Sequence, residues 1–456
     1  MKMFGVGAVA ACVLGLSVSA SAIKANVNLS IGKNLYVDGA LNSNWKPDVY
    51  TDGHLDFNQV ASAKELALNV GEGPSRIFIT WETRGDEAWV GDEYVHAASC
   101  QHFPTEGSSL QNFKILTSGN STDGVDGDWE VVAQVGESGA MSRGIAVDFA
   151  GKSWFKIVAD EAVKNLEEIG AYDLSDGGND TWFFMGTSIS QMGLKQTEVD
   201  SNFSQLIHAR YPDYYPAMLR GGIGCVNTTG VVEGLKYYGE YAGNVKFWAI
   251  EMGTNDAWGD KTGWNVKTFK TNMQEIIDTA KAHGVTPIIA RMIATNPDIA
   301  EWQVYQGYLD AIDELTETNN LPKGPDFYDY FSKHPEELSA SDGVHPAEKG
   351  AQSMHRLWAE AVATLYENGF GDADNENANQ EKDDKEGIVS SKVNFKVPQV
   401  SVVGRTVSVS GVQESAQVVI MDAMGHMVVN RNLPTGNYFV IIRGKKLSYS
   451  AKVTVR

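Results

Sequence analysis

The pattern of apolar residues changes at about residue 171, and this change limits the folds that the chain can adopt. Before it, short runs rich in β-branched and aromatic residues alternate with clusters of Gly, Asn, Asp and Ser. The runs are RIFITWE (76–82), NFKILTS (112–118), WEVVAQV (129–135), GIAVDF (144–149) and SWFKIVA (153–159). Strands at this spacing, separated by turns, predict a β-sandwich or jelly roll over residues 23–170.

From residue 171 to residue 369, short apolar runs alternate with segments of helical spacing. The predicted strands are WFFMG (182–186), PAMLRGG (216–222), VKFWAIEMG (245–253), VTPIIARMI (285–293) and DFYDYF (326–331). The predicted helices are 202–210, capped by Ser201, then 265–284, 300–319 and 346–367. Because strands that alternate with helices form parallel sheets covered on both faces, this segment predicts an α/β domain.

The start of the chain is typical of an exported protein. Lys2, an apolar run over residues 4–18 and an A-x-A pattern at 20–22 predict a signal peptide over residues 1–22. A lipoprotein box ending at Cys12 is the second interpretation, because the apolar run continues well past it. No later stretch of about 18 apolar residues occurs, so no transmembrane segment is predicted. We therefore expect a secreted or cell-surface protein.

The last part of the chain contains a predicted linker and a small module. Residues 370–390 are polar, charged and poor in apolar residues, which predicts a solvated acidic linker. Residues 391–456 carry nine Lys or Arg against two acidic residues and alternate strand-like runs with turns. They predict a small basic β module.

Charge and cysteine content exclude several classes of protein. A formal net charge of −21 argues against nucleic-acid binding, which needs clustered Lys and Arg. After removal of the signal peptide only Cys100 and Cys225 remain, and because they lie in different predicted domains their pairing is possible but not favoured. No CxxC, HExxH or His-rich cluster occurs, so no catalytic zinc site is predicted.

Four short blocks each follow a predicted strand of the α/β domain. Gly-Thr-Ser ends in Ser188, RGGIG contains Gly224, GTND contains Asn255, and SDGVHP contains Asp342 and His345. Open α/β sheets build their sites at the carboxyl ends of the strands. A hydroxyl there can attack a carbonyl if a base removes its proton and donors hold the developing oxyanion. The blocks therefore predict a serine hydrolase, although each block alone is more often a turn.

The order of these blocks resembles that of the SGNH hydrolases, also called the GDSL family. The resemblance covers about 178–368 and implies a three-layer, flavodoxin-like α/β fold with no metal or organic cofactor. It implies that Ser188 is the nucleophile, that His345 is the base and that Asp342 orients His345. It also implies that Ser188, Gly224 and Asn255 form the oxyanion hole.

One residue departs from the family pattern. The first block usually reads Gly-Asp-Ser, whereas this chain has Thr187 before Ser188. The replaced Asp is not a triad member but helps to set the loop, so the departure bears on activity and substrate range. The rival α/β-hydrolase interpretation fails, because the chain has no Gly-x-Ser-x-Gly pentapeptide.

The flanking modules suggest a substrate and a route of export. The N-terminal segment resembles discoidin-type (F5/8 type C) or related carbohydrate-binding jelly rolls in NWKPDVYTDG, SRIFITWE, SWFKIVA and the stretch 110–134. The C-terminal module resembles sorting domains of the type IX secretion system in VVIMDAMGHMVV, LPTGNYFVIIRG and KVTVR. These resemblances imply an acetylated polysaccharide, with acetylated xylan first, as the substrate and the secretion machinery as a partner.

Three functions compete at this stage. The first is a carbohydrate O-acetyl esterase, the second a lipase-like or lysophospholipid esterase, and the third a non-catalytic carbohydrate-binding adhesin. An intact set of five site residues argues against the adhesin. A lipase needs an apolar acyl channel, whereas the loops near the site contain mostly polar residues. These are Gln191, Lys195, Asn227, Thr228, Asp256 and Trp258, of which Asp256 is predicted to tie down the Asn255 loop.

Overall fold

The computed structural model describes most of the chain between residues 23 and 455. The described residues are 23–41, 50–54, 63–83, 89–90, 93–94, 112–135, 142–163, 166–194, 201–242, 245–367, 399–410, 417–422, 428, 430–444 and 447–455. The predicted signal peptide and the predicted linker at 370–390 lie outside them.

The N-terminal part consists of antiparallel strands. They are β1 Val27–Asn28, β2 Leu35–Val37, β3 Ala40–Leu41, β4 Ala63–Asn69, β5 Arg76–Thr83, β6 Trp89–Val90, β7 Glu93–Tyr94, β8 Phe113–Ser118, β9 Glu130–Val135, β10 Ser142–Asp148, β11 Trp154–Val163 and β12 Leu166–Asp173. One sheet has the order β1-β12-β5-β10 and a second has the order β3-β2-β4-β11-β8-β9, while β6 pairs with β7. Both large sheets contribute to one apolar cluster that includes Ile79, Phe113 and Ile157.

The central part contains five parallel strands. They are β13 Thr181–Gly186, β14 Ala217–Gly222, β15 Phe247–Glu251, β16 Thr286–Arg291 and β17 Lys323–Asp326. Their order is β14-β13-β15-β16-β17, which is the 2-1-3-4-5 order of flavodoxin-like sheets. Almost every residue of β13, β14 and β15 is buried, as expected for strands covered on both faces.

Helices connect these strands and form two groups. They are α1 Ser188–Leu194, α2 Phe203–Arg210, α3 Thr228–Ala242, α4 Thr254–Ala257, α5 Val266–Ala282, α6 Gln306–Thr318, α7 Phe327–Lys333, α8 Glu348–Ala361 and α9 Ala363–Glu367, with a 3₁₀ turn at Pro335–Glu337. In one group α1 and α2 contact α8, and in the other α3 and α6 contact α5. The predicted parallel sheet with accompanying helices is thus confirmed.

The predicted strand at 326–331 is wrong. The last strand of the sheet is Lys323–Asp326, and the aromatic run after it is the helix Phe327–Lys333. The Asp326 carboxylate accepts the backbone N–H of Asp329 at 2.9 Å and so caps this helix. Short aromatic runs fit a strand or a helix equally well, and here the cap decides the outcome.

The predicted cap of the helix at 202–210 is displaced by one residue. Asn202, rather than Ser201, caps α2, because its side chain accepts the N–H of Gln205 at 3.1 Å. The same side chain donates its N–H to the carbonyl of Gly53. The cap of α2 thereby also ties the N-terminal part to the α/β part.

A buried ion pair cluster joins the N-terminal part to the edge of the parallel sheet. Arg220 of β14 donates its Nε–H to Glu82 at 2.8 Å and also pairs with Glu167. Its backbone N–H donates to Glu82 at 3.0 Å. Because β14 is the edge strand, this carboxylate covers a backbone group that would otherwise be open to pairing.

The C-terminal part is a small β module. Its strands are β18 Gln399–Val403, β19 Thr406–Ser410, β20 Gln417–Asp422, β21 Gly436–Gly444 and β22 Leu447–Val455. They form sheets of the order β18-β19 and β20-β21-β22. Val407, Ile420 and Val440 belong to one shared buried cluster.

Cys225 is disulfide-bonded, which corrects the expectation that pairing is not favoured; the chain's other cysteines, Cys12 and Cys100, lie outside the described residues.

Within the described ranges, no helix combines the length and the apolar character needed to cross a membrane.

Candidate active site

Ser188 lies at the carboxyl end of the central region of the sheet. The strand β13 ends at Gly186, Thr187 comes next, and Ser188 is the first residue of α1. The first N–H groups of a helix have no partner within that helix, so the backbone N–H of Ser188 can donate to another acceptor. Gly186 is required just before it, since a Cβ there would lie 2.2 Å from the Oγ of Ser190. Close packing of the turn thus presents the half-buried Ser188 side chain at the sheet edge.

The structure brings Ser188, His345 and Asp342 together in one hydrogen-bonded relay. The Nε2 of His345 lies 2.9 Å from the Oγ of Ser188, across 157 residues of sequence. The Nδ1 of the same ring lies 2.9 Å from the Oδ2 of Asp342. A ring that donates from Nδ1 to Asp342 has Nε2 free to accept the Ser188 proton.

Local turn geometry holds Asp342 in place for this contact. Its Oδ1 accepts the backbone N–H groups of Val344 at 2.8 Å and of His345 at 3.0 Å. Burial alone would raise the pKa of Asp342, but these hydrogen bonds and the His345 side chain outweigh burial and lower the pKa below its usual value. Asp342 is therefore an anion at neutral pH, and it can stabilise a positively charged imidazole.

The two other predicted donors follow neighbouring strands: Gly224 lies just after β14, and Asn255 lies in α4 after β15. Hydrogen bonds link these segments to each other and to the Ser188 turn. Ile223, just before Gly224, donates its N–H to the carbonyl of Gly186 at 3.0 Å. Asn255 donates one side-chain N–H to the carbonyl of Val226 at 2.7 Å, and its amide group has a second N–H. Gly224 and Asn255 are both half-buried, so a ligand can reach them.

Asp256 has the structural role that its sequence position predicted. Its buried carboxylate accepts the backbone N–H of Thr228 at 3.0 Å and the Thr228 hydroxyl at 2.5 Å. Burial raises the pKa of Asp256 to about 6, although the Thr228 hydrogen bonds oppose the rise. The Asn255 loop is therefore fixed to the start of α3.

Glu251 is a residue of the site region that the sequence analysis missed. It ends β15 and is fully buried beneath the Ser188 turn. Its Oε2 accepts the Thr187 hydroxyl at 3.0 Å, the Thr187 N–H at 3.3 Å and the Ser190 hydroxyl at 3.2 Å, whereas its Oε1 has no hydrogen-bond partner among the described residues. Burial raises the pKa of Glu251 to about 7 against these hydrogen bonds. A lone acidic residue in the apolar strand FWAIE was the available signal, because glutamate is almost never fully buried unless paired.

The hydroxyl of Thr187 makes two hydrogen bonds within the turn. It donates to Glu251 and accepts the N–H of Ile189 at 3.1 Å at the start of α1. The carboxyl group that supports this turn comes from the neighbouring strand rather than from position 187. The departure from Gly-Asp-Ser therefore leaves the turn hydrogen-bonded.

The rim of the site is more apolar than the sequence analysis expected. Thr228 and Asp256, counted there as polar loop residues, are buried against each other. Trp258 and Trp264 are instead exposed at 53% and 73% on the loop that follows Asn255. Lys195 lies outside the described residues. The loop residues were predicted to be mostly polar, and on this side two exposed tryptophans stand among them.

Among the described residues, His334, Glu336 and Glu337 have the spacing of a possible metal site. The Glu337 carboxylate, however, already accepts hydrogen bonds from Ser353 at 2.7 Å and Lys349 at 2.9 Å. Its negative charge is thus already balanced without a metal ion. The absence of a cofactor stays a prediction.

Comparison with known proteins finds solved structures of low sequence identity. No family model matches the chain, and no curated protein matches it. The Bacillus subtilis protein YxiM has 14% identity, with 67% of this chain and 82% of that chain covered and a TM-score of 0.38. An acetylxylan esterase from Geobacillus stearothermophilus has 16% identity, covers 42% of this chain and 96% of its own, and gives a TM-score of 0.33. A lipase/acylhydrolase from Enterococcus faecalis has 19% identity, 40% and 95% coverage and a TM-score of 0.33. Likenesses this weak assign no function to the chain.

Proposed function

We propose that the protein is a secreted serine esterase that removes O-acetyl groups from a polysaccharide through an acyl-enzyme. The observation that carries the esterase proposal is the relay of Ser188, His345 and Asp342, with 2.9 Å at each of its two contacts. A hydroxyl, an imidazole and a carboxylate in this arrangement supply a nucleophile, a base and the group that orients the base.

The reaction proceeds in two steps. In the first, the Oγ of Ser188 attacks the acetyl carbonyl while His345 takes the hydroxyl proton, and the imidazole then gives that proton to the departing sugar oxygen. Asp342 stabilises the imidazolium between these transfers. In the second, His345 activates a water molecule that attacks the acetyl-serine, releasing acetate and restoring Ser188.

The developing negative charge on the carbonyl oxygen needs donors at the rim. The backbone N–H groups of Ser188 and Gly224 and the side-chain amide of Asn255 are the proposed donors. Their loops are tied to one another by the Ile223 and Asn255 hydrogen bonds described above. Donors held in place before the reaction lower the barrier because they need no reorganisation as charge develops.

The polysaccharide is the finer part of the proposal. It is supported by the resemblance of the N-terminal part to carbohydrate-binding jelly rolls and by the half-buried, accessible position of Ser188. Secretion is supported by the signal pattern at 1–22, and export to the surface by the likeness of 391–456 to sorting domains. The arguments from these resemblances concern the neighbouring domains rather than the chemistry at the site.

A lipase-like esterase is the second candidate, because Trp258 and Trp264 expose large apolar surfaces beside the site. The two candidates differ in the acyl chain that they accept. We expect turnover of p-nitrophenyl esters to be highest for acetate and to fall steeply by octanoate. An increase of turnover with chain length would favour the lipase.

The decisive experiment measures acetate release from acetylated xylan beside hydrolysis of p-nitrophenyl acetate. Wild type, Ser188→Ala and Ser332→Ala are compared, the last removing an exposed serine of α7. We expect Ser188→Ala to lower both rates by at least about 10⁴-fold and the control to change neither. Turnover that survives Ser188→Ala would refute the mechanism, and a folded wild type without any turnover would favour the adhesin.

A further inference from the structure

Large exposed apolar side chains cluster in one place on the α/β part. Among the described residues of that part, those most exposed are Trp258 at 53%, Trp264 at 73%, Tyr305 at 41% and Ile299 at 40%. All four lie on the two loops that follow β15 and β16. Single exposed apolar residues are ordinary, but a cluster confined to adjacent loops at one sheet edge marks a contact surface.

The two loops are packed together through their aromatic rings. The ring of Trp258 lies 5.0 Å from that of Trp302, at an interplanar angle of 46°. The ring of Tyr305 covers Gly263, where an added Cβ would lie only 2.3 Å from a ring carbon. Gly263 also has φ +75°, a left-handed conformation that suits glycine. The exposed rings therefore belong to one connected surface, here called the aromatic shelf (Trp258, Trp264 and Tyr305).

A buried carboxylate holds the shelf rigid. Asp260 accepts the backbone N–H groups of Gly263 at 2.7 Å and of Trp264 at 3.2 Å, and the hydroxyl of Tyr308 at 2.7 Å. Burial would raise the pKa of Asp260, but these hydrogen bonds and that from the Asn265 N–H lower it to about 2. A loop that is ordered before it binds loses little conformational entropy on binding.

The shelf adjoins the proposed active site on the side of β15 and β16. Trp258 follows Asn255 by three residues, about one helical turn. On the second loop, Asn296 donates its N–H at 2.7 Å to the carbonyl of Gly343, which lies between Asp342 and His345. Both shelf loops are thus connected to the parts of the proposed site.

We propose that the aromatic shelf binds pyranose rings of the polysaccharide whose O-acetyl group reaches Ser188. This inference rests on the proposed function and deepens it. An acyl chain is stabilised by an enclosed apolar channel, whereas the Trp258 and Trp264 side chains are open to water at 53% and 73% exposure. A sugar ring presents C–H groups on its faces and hydroxyls around its edge, so it stacks on an aromatic face while its hydroxyls stay hydrated.

The polar residues between the rings suit the same ligand. Exposed polar side chains occur on both shelf loops: Lys261 on the loop after β15, and Glu301 and Gln303 on the loop after β16. They offer donors and acceptors within the same two loops. A surface that alternates aromatic rings with hydrogen-bonding groups matches a chain of hydroxylated rings better than it matches a hydrocarbon chain.

The first test measures binding without catalysis. Ser188→Ala protein is titrated with xylohexaose, mannohexaose and cellohexaose, with affinity measured by calorimetry. We expect binding of at least one, weakened about tenfold by adding Trp264→Ala and less than threefold by adding Trp264→Phe, which keeps an aromatic face. Binding of none, or binding that Trp264→Ala does not weaken, would overturn the proposal.

The second test separates the shelf from the esterase proposal. For acetylated oligosaccharides of the bound glycan, we expect Trp258→Ala and Trp264→Ala each to raise KM, so that kcat/KM relative to p-nitrophenyl acetate falls about tenfold. Val418→Ala, which trims an exposed residue of β20, is the control. An unchanged ratio overturns the shelf while the esterase stands. If the protein binds a hexasaccharide through Trp264 but has no esterase activity, the shelf proposal stands and the esterase proposal is refuted. Shelf variants that impair only long-chain p-nitrophenyl esters would show an acyl site instead.

Discussion

Replacing Glu251 by glutamine changes a carboxyl group that is fully buried beneath Ser188. Burial raises the pKa of Glu251 from 4.5 to about 7, although hydrogen bonds from Thr187 and Ser190 oppose the rise. A pKa that is higher in the folded than in the unfolded chain means that the folded protein binds the proton more tightly. The stability from this group is therefore fully present below pH 4.5 and is lost as pH rises through about 7.

The size of the effect follows from that rise. At about 1.36 kcal/mol for each pH unit, a rise from 4.5 to about 7 corresponds to about 3 kcal/mol of unfolding free energy. Glutamine has no proton to lose, so the stability of Glu251→Gln relative to wild type should rise by about 3 kcal/mol between pH 4.5 and pH 8.5. The new amide N–H groups add a desolvation penalty of about 1–3 kcal/mol, which is the same at every pH and cancels in this difference.

Urea unfolding of both proteins at pH 4.5, 6 and 8.5 measures the effect. The corresponding change in the Tm difference is about 6–12 °C for a domain of this size. Glu337→Gln is the control, because Glu337 is also buried but has hydrogen bonds from Ser353 and Lys349 that outweigh burial and lower its pKa. Because a lowered carboxyl pKa affects stability mainly below pH 4.5, the stability of Glu337→Gln relative to wild type should stay nearly constant between pH 4.5 and 8.5. A Glu251→Gln difference that is constant across this pH range would refute the reasoning.

Four further substitutions have expected outcomes. Asn255→Ala should lower kcat for p-nitrophenyl acetate about 10²- to 10³-fold with a small change in KM, since it removes a proposed oxyanion donor; a change in KM alone would contradict this role. Asp342→Asn should lower kcat about 10⁴-fold with normal unfolding, because the His345 tautomer is no longer fixed. Thr187→Asp should destabilise the protein by about 2–4 kcal/mol at pH 8 in urea unfolding, because the new carboxyl group would contact that of Glu251 and the two cannot both ionise. Adding Glu251→Gln should recover most of this loss. Arg220→Met should destabilise the protein by about 3–5 kcal/mol in the same assay, because two buried glutamates lose their arginine; wild-type stability would show that the pair is dispensable.

The candidate site could be located from sequence because its signals are local. Ser188, Gly224 and Asn255 each follow a buried strand, and the parallel strands bring these ends to one edge of the sheet. Asp342 and His345 are three residues apart, so one turn carries both groups. The alternation of strands and helices also follows from apolar spacing along the chain, but the helix Thr228–Ala242 was not predicted.

Other features depend on residues that are distant in sequence. The 2.9 Å contact of His345 with Ser188 spans 157 residues, and the Glu251 contact with Thr187 spans 64. Sequence spacing gives no information about such contacts, because they exist only once separate strands lie side by side. The charge on Glu251 is likewise set by burial, which neighbouring elements produce.

The sequence alone was enough to predict the parallel sheet and the five residues of the candidate site. Apolar periodicity and short motifs act within a few residues, and those features need no more than that. The tertiary structure was needed to show that 327–333 is a helix, that Glu251 supports the Ser188 turn and that Trp258 and Trp264 are exposed. The physical reason is that burial, exposure and hydrogen-bond partners are properties of packed surfaces, and packing joins residues that the chain keeps far apart.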